Sequence, residues 1–78
     1  MGDVTGYVKS KRVRGGFGCT TWLAWSGVGE PLTESSPVME PLEREVWFDY
    51  NSTKEAAVAA VKREAEAEHT VDEWVEQE

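Results

Sequence analysis

Hydrophobic and polar residues alternate at the start of the chain in a way that predicts a β-hairpin. In residues 4–14, β-forming side chains are interleaved with bases, which is typical of a strand with one solvent-facing side. Gly15-Gly16 follows, and glycine readily adopts the positive φ angles that a tight hairpin turn requires. Residues 17–26 alternate again and are predicted as the returning strand. One of its faces would carry Cys19, Thr21, Leu23 and Trp25.

The alternation breaks over residues 27–41, which contain three prolines and two glycines. Proline lacks a backbone N–H and disrupts helices and central strands, so this segment is predicted to be a Pro/Gly-rich connecting loop. A structureless connection of this length is uncommon in a compact domain and is often functional or disordered. We expect either a plain strand connector or a partner-binding loop with Leu32, Val38 and Met39 as its apolar contacts.

Residues 42–50 alternate once more and are predicted as a third strand. Val46, Phe48 and Tyr50 would share one face, with acidic residues on the other. Because opposite charges on neighbouring strands attract, we expect those acids to lie opposite Lys9, Lys11 or Arg14 of the first strand.

The pattern then changes from a period of two to the helical period. Ser52 or Thr53 is placed to cap a helix, and the helix is predicted from Lys54 to about His69. Its apolar positions are all small, so the helix must lie close to the sheet that supports it. These positions are Ala57, Val58, Val61 and Ala65.

The last residues predict a second, shorter helical segment. Thr70 and Glu73 have the spacing of a capping box, and Val71, Trp74 and Val75 would form a short apolar face. We therefore expect a segment from Val71 to Gln77 that docks through Trp74. The predicted fold is one α+β domain over residues 1–78, in the order β-β-β-α-α. It comprises a three-stranded antiparallel sheet, one long helix on one face and a short C-terminal helical segment.

Composition narrows the class of protein further. The chain has 78 residues with 40% apolar side chains, and no apolar run approaches the roughly 20 residues of a membrane span. Cys19 is the single cysteine, which excludes an internal disulfide. No basic start leads into an apolar stretch, so we expect a cytoplasmic protein. Four tryptophans must supply much of a small core, and a homodimer would add buried area.

Charge is unevenly distributed along the chain. Residues 1–25 carry four bases against one acid, whereas residues 26–78 carry four bases against 14 acids. The net charge of −7 works against binding of nucleic acid or an anionic membrane by the molecule as a whole. It favours a basic protein partner, or it serves solubility alone.

The residue inventory argues against an enzyme. Cys19 and His69 form the single nucleophile–base combination, and a cysteine in the middle of a strand is expected to be a small buried residue. A zinc site needs about four nitrogen or sulfur ligands, and these two side chains fall short. The sequence therefore predicts no catalytic residues, no metal site and no cofactor.

The first functional hypothesis is a non-catalytic acidic adaptor or inhibitor that binds a basic protein surface. This type of protein resembles small acidic antitoxins and phage-encoded inhibitors. The order strand–strand–strand–helix also resembles HicB-type antitoxins, over the stretch from Phe48-Asp49-Tyr50 to Glu68, although no family motif accompanies it and we infer no membership. The predicted partner-binding residues are Glu64, Glu66, Glu68, Asp72, Glu73 and Glu76.

The alternative hypothesis places single-stranded nucleic acid on the basic hairpin. Aromatic rings on a sheet can stack on bases while neighbouring cations contact phosphates. The predicted residues for this function are Lys9, Lys11, Arg12, Arg14, Tyr7 and Phe17.

Overall fold

The computed structural model describes residues 4–15, 18–33 and 45–77. It contains four strands and one helix within these ranges. In chain order they are β1 (Val4–Arg14), β2 (Thr20–Val28), β3 (Trp47–Asn51), α1 (Lys54–Glu66) and β4 (Val71–Glu76).

The four strands form one mixed sheet in the order β3-β2-β1-β4. The pairs β1–β2 and β2–β3 are antiparallel, and β4 runs parallel to β1. The predicted α+β class is confirmed, but the predicted three-stranded antiparallel sheet with two helices is wrong. The segment from Val71 to Glu76, predicted as a helix, is the fourth strand.

Backbone pairing with β1 explains why this last segment is extended. The N–H of Val4 donates to the carbonyl of Thr70 at 3.1 Å, and the N–H of Gln77 donates to the carbonyl of Val8 at 2.8 Å. Gly6 lies opposite Trp74, and a Cβ atom on Gly6 would come within 2.6 Å of the indole ring. Because Gly6 has no side chain, the Trp74 ring can pack directly against β1 at this position. Long-range pairing with β1 thus overrides the local capping pattern of Thr70 and Glu73.

The β1–β2 hairpin is confirmed, with Arg14 opposite Thr20 at its far end. The returning strand begins at Thr20, later than predicted, because Gly18 has a φ of 77° and Gly15 N–H donates to the carbonyl of Cys19. Cys19 consequently precedes β2 and is exposed, so the prediction of a buried mid-strand cysteine is wrong. Gly16 lies outside the described residues.

Strand β3 is shorter than the predicted segment of residues 42–50, of which residues 42–44 lie outside the described ranges. It pairs with β2, with Phe48 opposite Trp25. Because β2 lies between β3 and β1, the predicted cross-strand pairing of β3 acids with Lys9, Lys11 or Arg14 is wrong.

Helix α1 begins as predicted and ends slightly earlier. Thr53 caps it, since its side-chain oxygen accepts a hydrogen bond from Ala56 N–H at 3.2 Å. The predicted apolar positions are its buried residues. The buried Ser26 hydroxyl of β2 donates to the carbonyl of Val61 at 3.1 Å, which ties the helix to the sheet.

Each face of the sheet carries its own apolar cluster. On the helix side, α1 residues pack on Val8 and Ala24. On the opposite side, which we call the second face, Leu23 and Trp25 pack against Leu32. Gln77 holds Leu32 in place by accepting its N–H at 2.8 Å and donating to its carbonyl at 3.2 Å.

These contacts bear on the hypothesis of a partner-binding loop. Leu32 is 3% exposed and belongs to the protein's own core, so it is not a free apolar contact. Val38 and Met39 lie outside the described residues.

Candidate functional site: the two edges of the sheet

The predicted acidic residues do not form one patch, because the structure divides them between the two edges of the sheet. Asp72, Glu73 and Glu76 are exposed on the edge strand β4. Glu66 of α1 faces the same edge, since its carboxylate accepts the indole N–H of Trp74 at 2.9 Å. We call these four residues the β4-edge acids.

The other two predicted acids lie near the opposite edge. Glu68 accepts the indole N–H of Trp47 at 3.3 Å, and Glu64 lies near enough to Asp49 of β3 for that carboxylate to raise the pKa of Glu64. We call Asp49, Glu64 and Glu68 the β3-edge acids. The helix ends between the two edge strands. Glu64 and Glu66, only two residues apart in sequence, therefore reach opposite edges of the sheet.

A lysine already compensates part of the charge at the β4 edge. Lys62 Nζ lies 4.0 Å from Glu76 Oε2 and 5.8 Å from the centre of the Trp74 ring. Together with the bond from Trp74 to Glu66, these contacts give two of the β4-edge acids a role in fixing β4 and α1. Asp72 and Glu73 remain exposed on the strand.

At the β3 edge, by contrast, two carboxylates face each other. The pKa of Glu64 is raised above its ordinary value by partial desolvation first, and then by the hydrogen bond and the negative charge of Asp49, while Arg63 acts in the opposite direction. Asp49 also accepts the backbone N–H of Tyr50 at 2.8 Å. The pair therefore holds unfavourable negative charge next to the edge strand.

The second face of the β3 edge is apolar and exposed. Phe48 and Tyr50 are each 45% exposed, and their rings meet edge-to-face with centroids 6.4 Å apart. The described ranges contain one other exposed large apolar side chain, that of Val75 in β4, which is 36% exposed. Alternation places Phe48 and Tyr50 on one face, but it does not show that β3 lies at an edge, so these two residues were not among the predicted site residues.

The basic hairpin is a third charged region. Within the described part of β1 and β2 there are four bases and no acid. Lys11, Arg12 and Arg14 are exposed, whereas Lys9 is half-buried with its ammonium 5.9 Å from the ring centre of Trp25. Tyr7 packs partly into the second-face cluster.

The residues predicted for nucleic-acid binding are therefore only partly brought together. Lys9 and Lys11 share the second face with Tyr7, whereas Arg12 is registered with Trp22, which packs on the helix side. Arg14 lies at the far end of the hairpin, opposite Thr20. Phe17 lies outside the described residues.

Two further findings concern chemistry. In residues 4–15, 18–33 and 45–77 there is no group of three or more His, Cys, Asp or Glu side chains that could hold a metal ion. Cys19 lies at the hairpin turn, whereas His69 lies 3.9 Å from the Glu45 carboxylate and stacks edge-on against Trp47. Cys19 and His69 therefore lie beside different residues.

Comparisons with known proteins add no family to this description. The chain matches no protein-family model, and neither a curated protein nor a solved structure is significantly similar to it. Within the described residues, no helix is both long enough and apolar enough to cross a membrane.

Proposed function

We propose that this protein is a non-catalytic binding protein that uses its acidic residues to engage a basic region of another protein. The observation that carries this proposal is the position of those acids, which flank both edge strands of the sheet. Edge strands present backbone groups as well as side chains to a partner. Exposed carboxylates beside such edges supply attraction to a basic surface and select against acidic ones.

The distribution of charge supports the same proposal. Bases are concentrated on β1, whereas β3, α1 and β4 together carry most of the acids of the described residues. A basic partner would therefore be steered towards the edge strands and away from the hairpin. Masking a basic surface in this way is how an acidic adaptor or inhibitor acts, and a protein that normally binds nucleic acid is one such target.

A charge-reversal experiment tests the proposal. The probe is a fluorescently labelled twelve-residue lysine-rich peptide, titrated at several salt concentrations. The variant Glu64→Lys/Glu73→Lys changes one acid near each edge strand. We expect it to weaken binding at least about tenfold, a fall that one or two lost charge contacts can produce.

A matched variant separates a local effect from total charge. Glu30→Lys/Glu55→Lys changes the net charge by the same amount at exposed positions outside the two edge groups, and binding should weaken far less, because charges farther from the peptide than a Debye length are largely screened. Equal losses for both double variants, or no binding by the wild-type protein at low salt, would refute the proposal.

A second candidate function is binding of single-stranded nucleic acid by the hairpin, and the segregation of bases onto β1 favours it. The probe is a labelled twelve-nucleotide oligothymidylate, followed by fluorescence anisotropy. Lys11→Gln should weaken binding and lower the salt slope by about 0.7, the value for one lost phosphate contact on a single strand. Lys54→Gln, which removes the same charge from the start of α1, should leave both unchanged; an equal effect would exclude the hairpin as the site.

A further inference from the structure

The outer side of β3 has the features of a site for strand addition. In the described sheet β3 is an edge strand, paired on one side with β2. The N–H of Gly29 donates to the carbonyl of Thr5, so in the alternating antiparallel ladder Leu23 directs its backbone groups towards β1. Its partner Tyr50 therefore directs its own N–H to the outer side of β3, where this N–H donates to the side chain of Asp49. An incoming strand would find a donor there whose acceptor is a side chain of β3 itself.

The two sides of this edge differ in chemistry. Phe48 and Tyr50 project on the second face and are half exposed. Asp49 projects on the helix face, where it meets Glu64. Since side chains of an added strand also alternate between faces, its residues would alternately meet aromatic rings and carboxylates.

We propose that β3 accepts an extended segment of a partner protein in which apolar and basic residues alternate. The apolar residues would cover Phe48 and Tyr50, and a lysine or arginine would lie between Asp49 and Glu64. That cation would replace a repulsion between two carboxylates with two attractions. Backbone pairing supplies affinity and the alternate side chains supply specificity.

Charge argues against a second copy of this chain as the occupant. Antiparallel pairing of two β3 strands centred on Asp49 would bring Asp49 of each copy together, next to both Glu64 side chains. Four carboxylates on one face would repel, since like charges directly opposite destabilise a strand pair. The β4 edge is a weaker candidate for an amphipathic strand because it offers one exposed apolar side chain, Val75, and its Glu76 already has Lys62.

This inference rests on the proposed function and names its partner more closely. Two labelled ten-residue peptides of identical composition test it. One alternates lysine with valine, and the other has the lysines in one block and the valines in another. We expect the alternating peptide to bind at least about fivefold more tightly, the gain expected from cross-strand pairs in register, and to shift the NMR signals of Phe48 and Tyr50.

Protein variants locate the site. Tyr50→Thr keeps a good β-former but removes the ring, and should weaken binding of the alternating peptide about tenfold because apolar burial is lost. Val75→Thr also leaves a good β-former and removes an exposed apolar side chain from β4, although it changes the volume less, and it should leave binding within about twofold. Circular dichroism confirms that both variants remain folded. Equal weakening by the two substitutions would overturn the assignment to β3.

The outcomes separate this inference from the proposed function. If both peptides bind equally and both respond to the reversal Glu64→Lys/Glu73→Lys, the acidic surface binds basic partners but strand addition is wrong. If neither peptide binds, both proposals fail. If sedimentation shows a dimer that Tyr50→Thr dissociates, the occupant is a second copy and the inference is also overturned.

Discussion

The two edges of the sheet are both acidic, yet they use their carboxylates differently. At the β4 edge, Glu66 accepts the Trp74 indole and Glu76 is paired with Lys62, so charge helps to hold the strand against the helix. At the β3 edge, the charge of Asp49 helps to raise the pKa of Glu64, so the two carboxylates repel each other when both are ionised. The number of acids differs little between the two edges, at four and three, whereas their neighbours show that the β4 acids take part in contacts that hold the fold and that Asp49 and Glu64 oppose each other.

This difference indicates which edge is free to change on binding. A partner at β4 must compete with contacts that stabilise the fold, whereas a cation arriving at β3 relieves a repulsion. The expected effects of substitutions at the two edges therefore differ in sign as well as in size.

The largest expected effect on stability comes from filling the space next to Gly6 in which the Trp74 ring of β4 lies. Gly6→Val places a side chain where the Trp74 ring lies, and overpacking of this kind costs about 3 kcal/mol. Urea denaturation should show this loss, and hydrogen exchange should increase most in β4. Combining it with Trp74→Val should recover part of the stability, so a fully additive double variant would contradict the role assigned to Gly6.

A smaller loss of stability is expected when the two hydrogen bonds between Gln77 and Leu32 are removed. Gln77→Ala leaves two backbone groups of Leu32 without their partner, at a cost of about 1–2 kcal/mol. Gln77→Glu keeps the acceptor for the Leu32 N–H and should cost less. Urea denaturation measures the free energy of unfolding of both variants. A greater loss for the glutamate variant would show that these two hydrogen bonds are not the reason why Gln77 stabilises the fold.

The lysine of the β4 edge gives the next effect. Lys62→Gln removes the contact to Glu76 and the cation above Trp74, and should cost about 0.5–1 kcal/mol at low salt because the groups are partly exposed. The loss should shrink in 0.5 M salt. A variant as stable as the wild type at low salt would remove the argument that this edge is compensated.

The smallest effect should have the opposite sign. Because the pKa of Glu64 is raised in the folded protein, the folded state holds its proton more tightly than the unfolded chain. This contribution to stability is present below the ordinary pKa of the group and is lost as pH rises through the raised value. Asp49→Asn removes the charge that helps to raise it.

Melting temperatures between pH 4 and pH 7 test this prediction. The wild type should lose more stability than Asp49→Asn as pH rises through that window, so the variant should be slightly more stable at pH 7. Part of the dependence should remain, since desolvation is the larger cause of the raised pKa. A less stable variant at pH 7 would mean that Asp49 contributes more through its bond to Tyr50 N–H than it costs by repulsion.

Sequence patterns predicted the parts of the fold that depend on neighbouring residues. The hairpin, the Thr53 cap and the small apolar stripe of α1 each follow from local periodicity or local hydrogen bonding. The segment after Thr70 failed because Val71, Trp74 and Val75 suit a short helix as well as a strand. What decided between them was the vacant backbone of β1 and the space above Gly6, both distant in sequence.

The site was harder to predict for a related reason. Glu64, Glu66 and Glu68 look like one cluster when read along the chain, but the helix ends between β3 and β4 and its carboxylates reach both. The exposed rings of Phe48 and Tyr50 could be placed on a face from their alternation. That they remain uncovered depends on strand order, which no local pattern contains.

The parallel pair of β1 and β4 also has a consequence for the order of folding. Val4 is registered with Val71, so this pair closes a loop that includes the hairpin, β3 and the whole helix. Contacts between residues so far apart form late, because the entropy of closing the loop is lost before they can compensate for it. During synthesis on the ribosome, the edge of β1 that pairs with β4 therefore stays unpaired until β4, the last strand, has emerged.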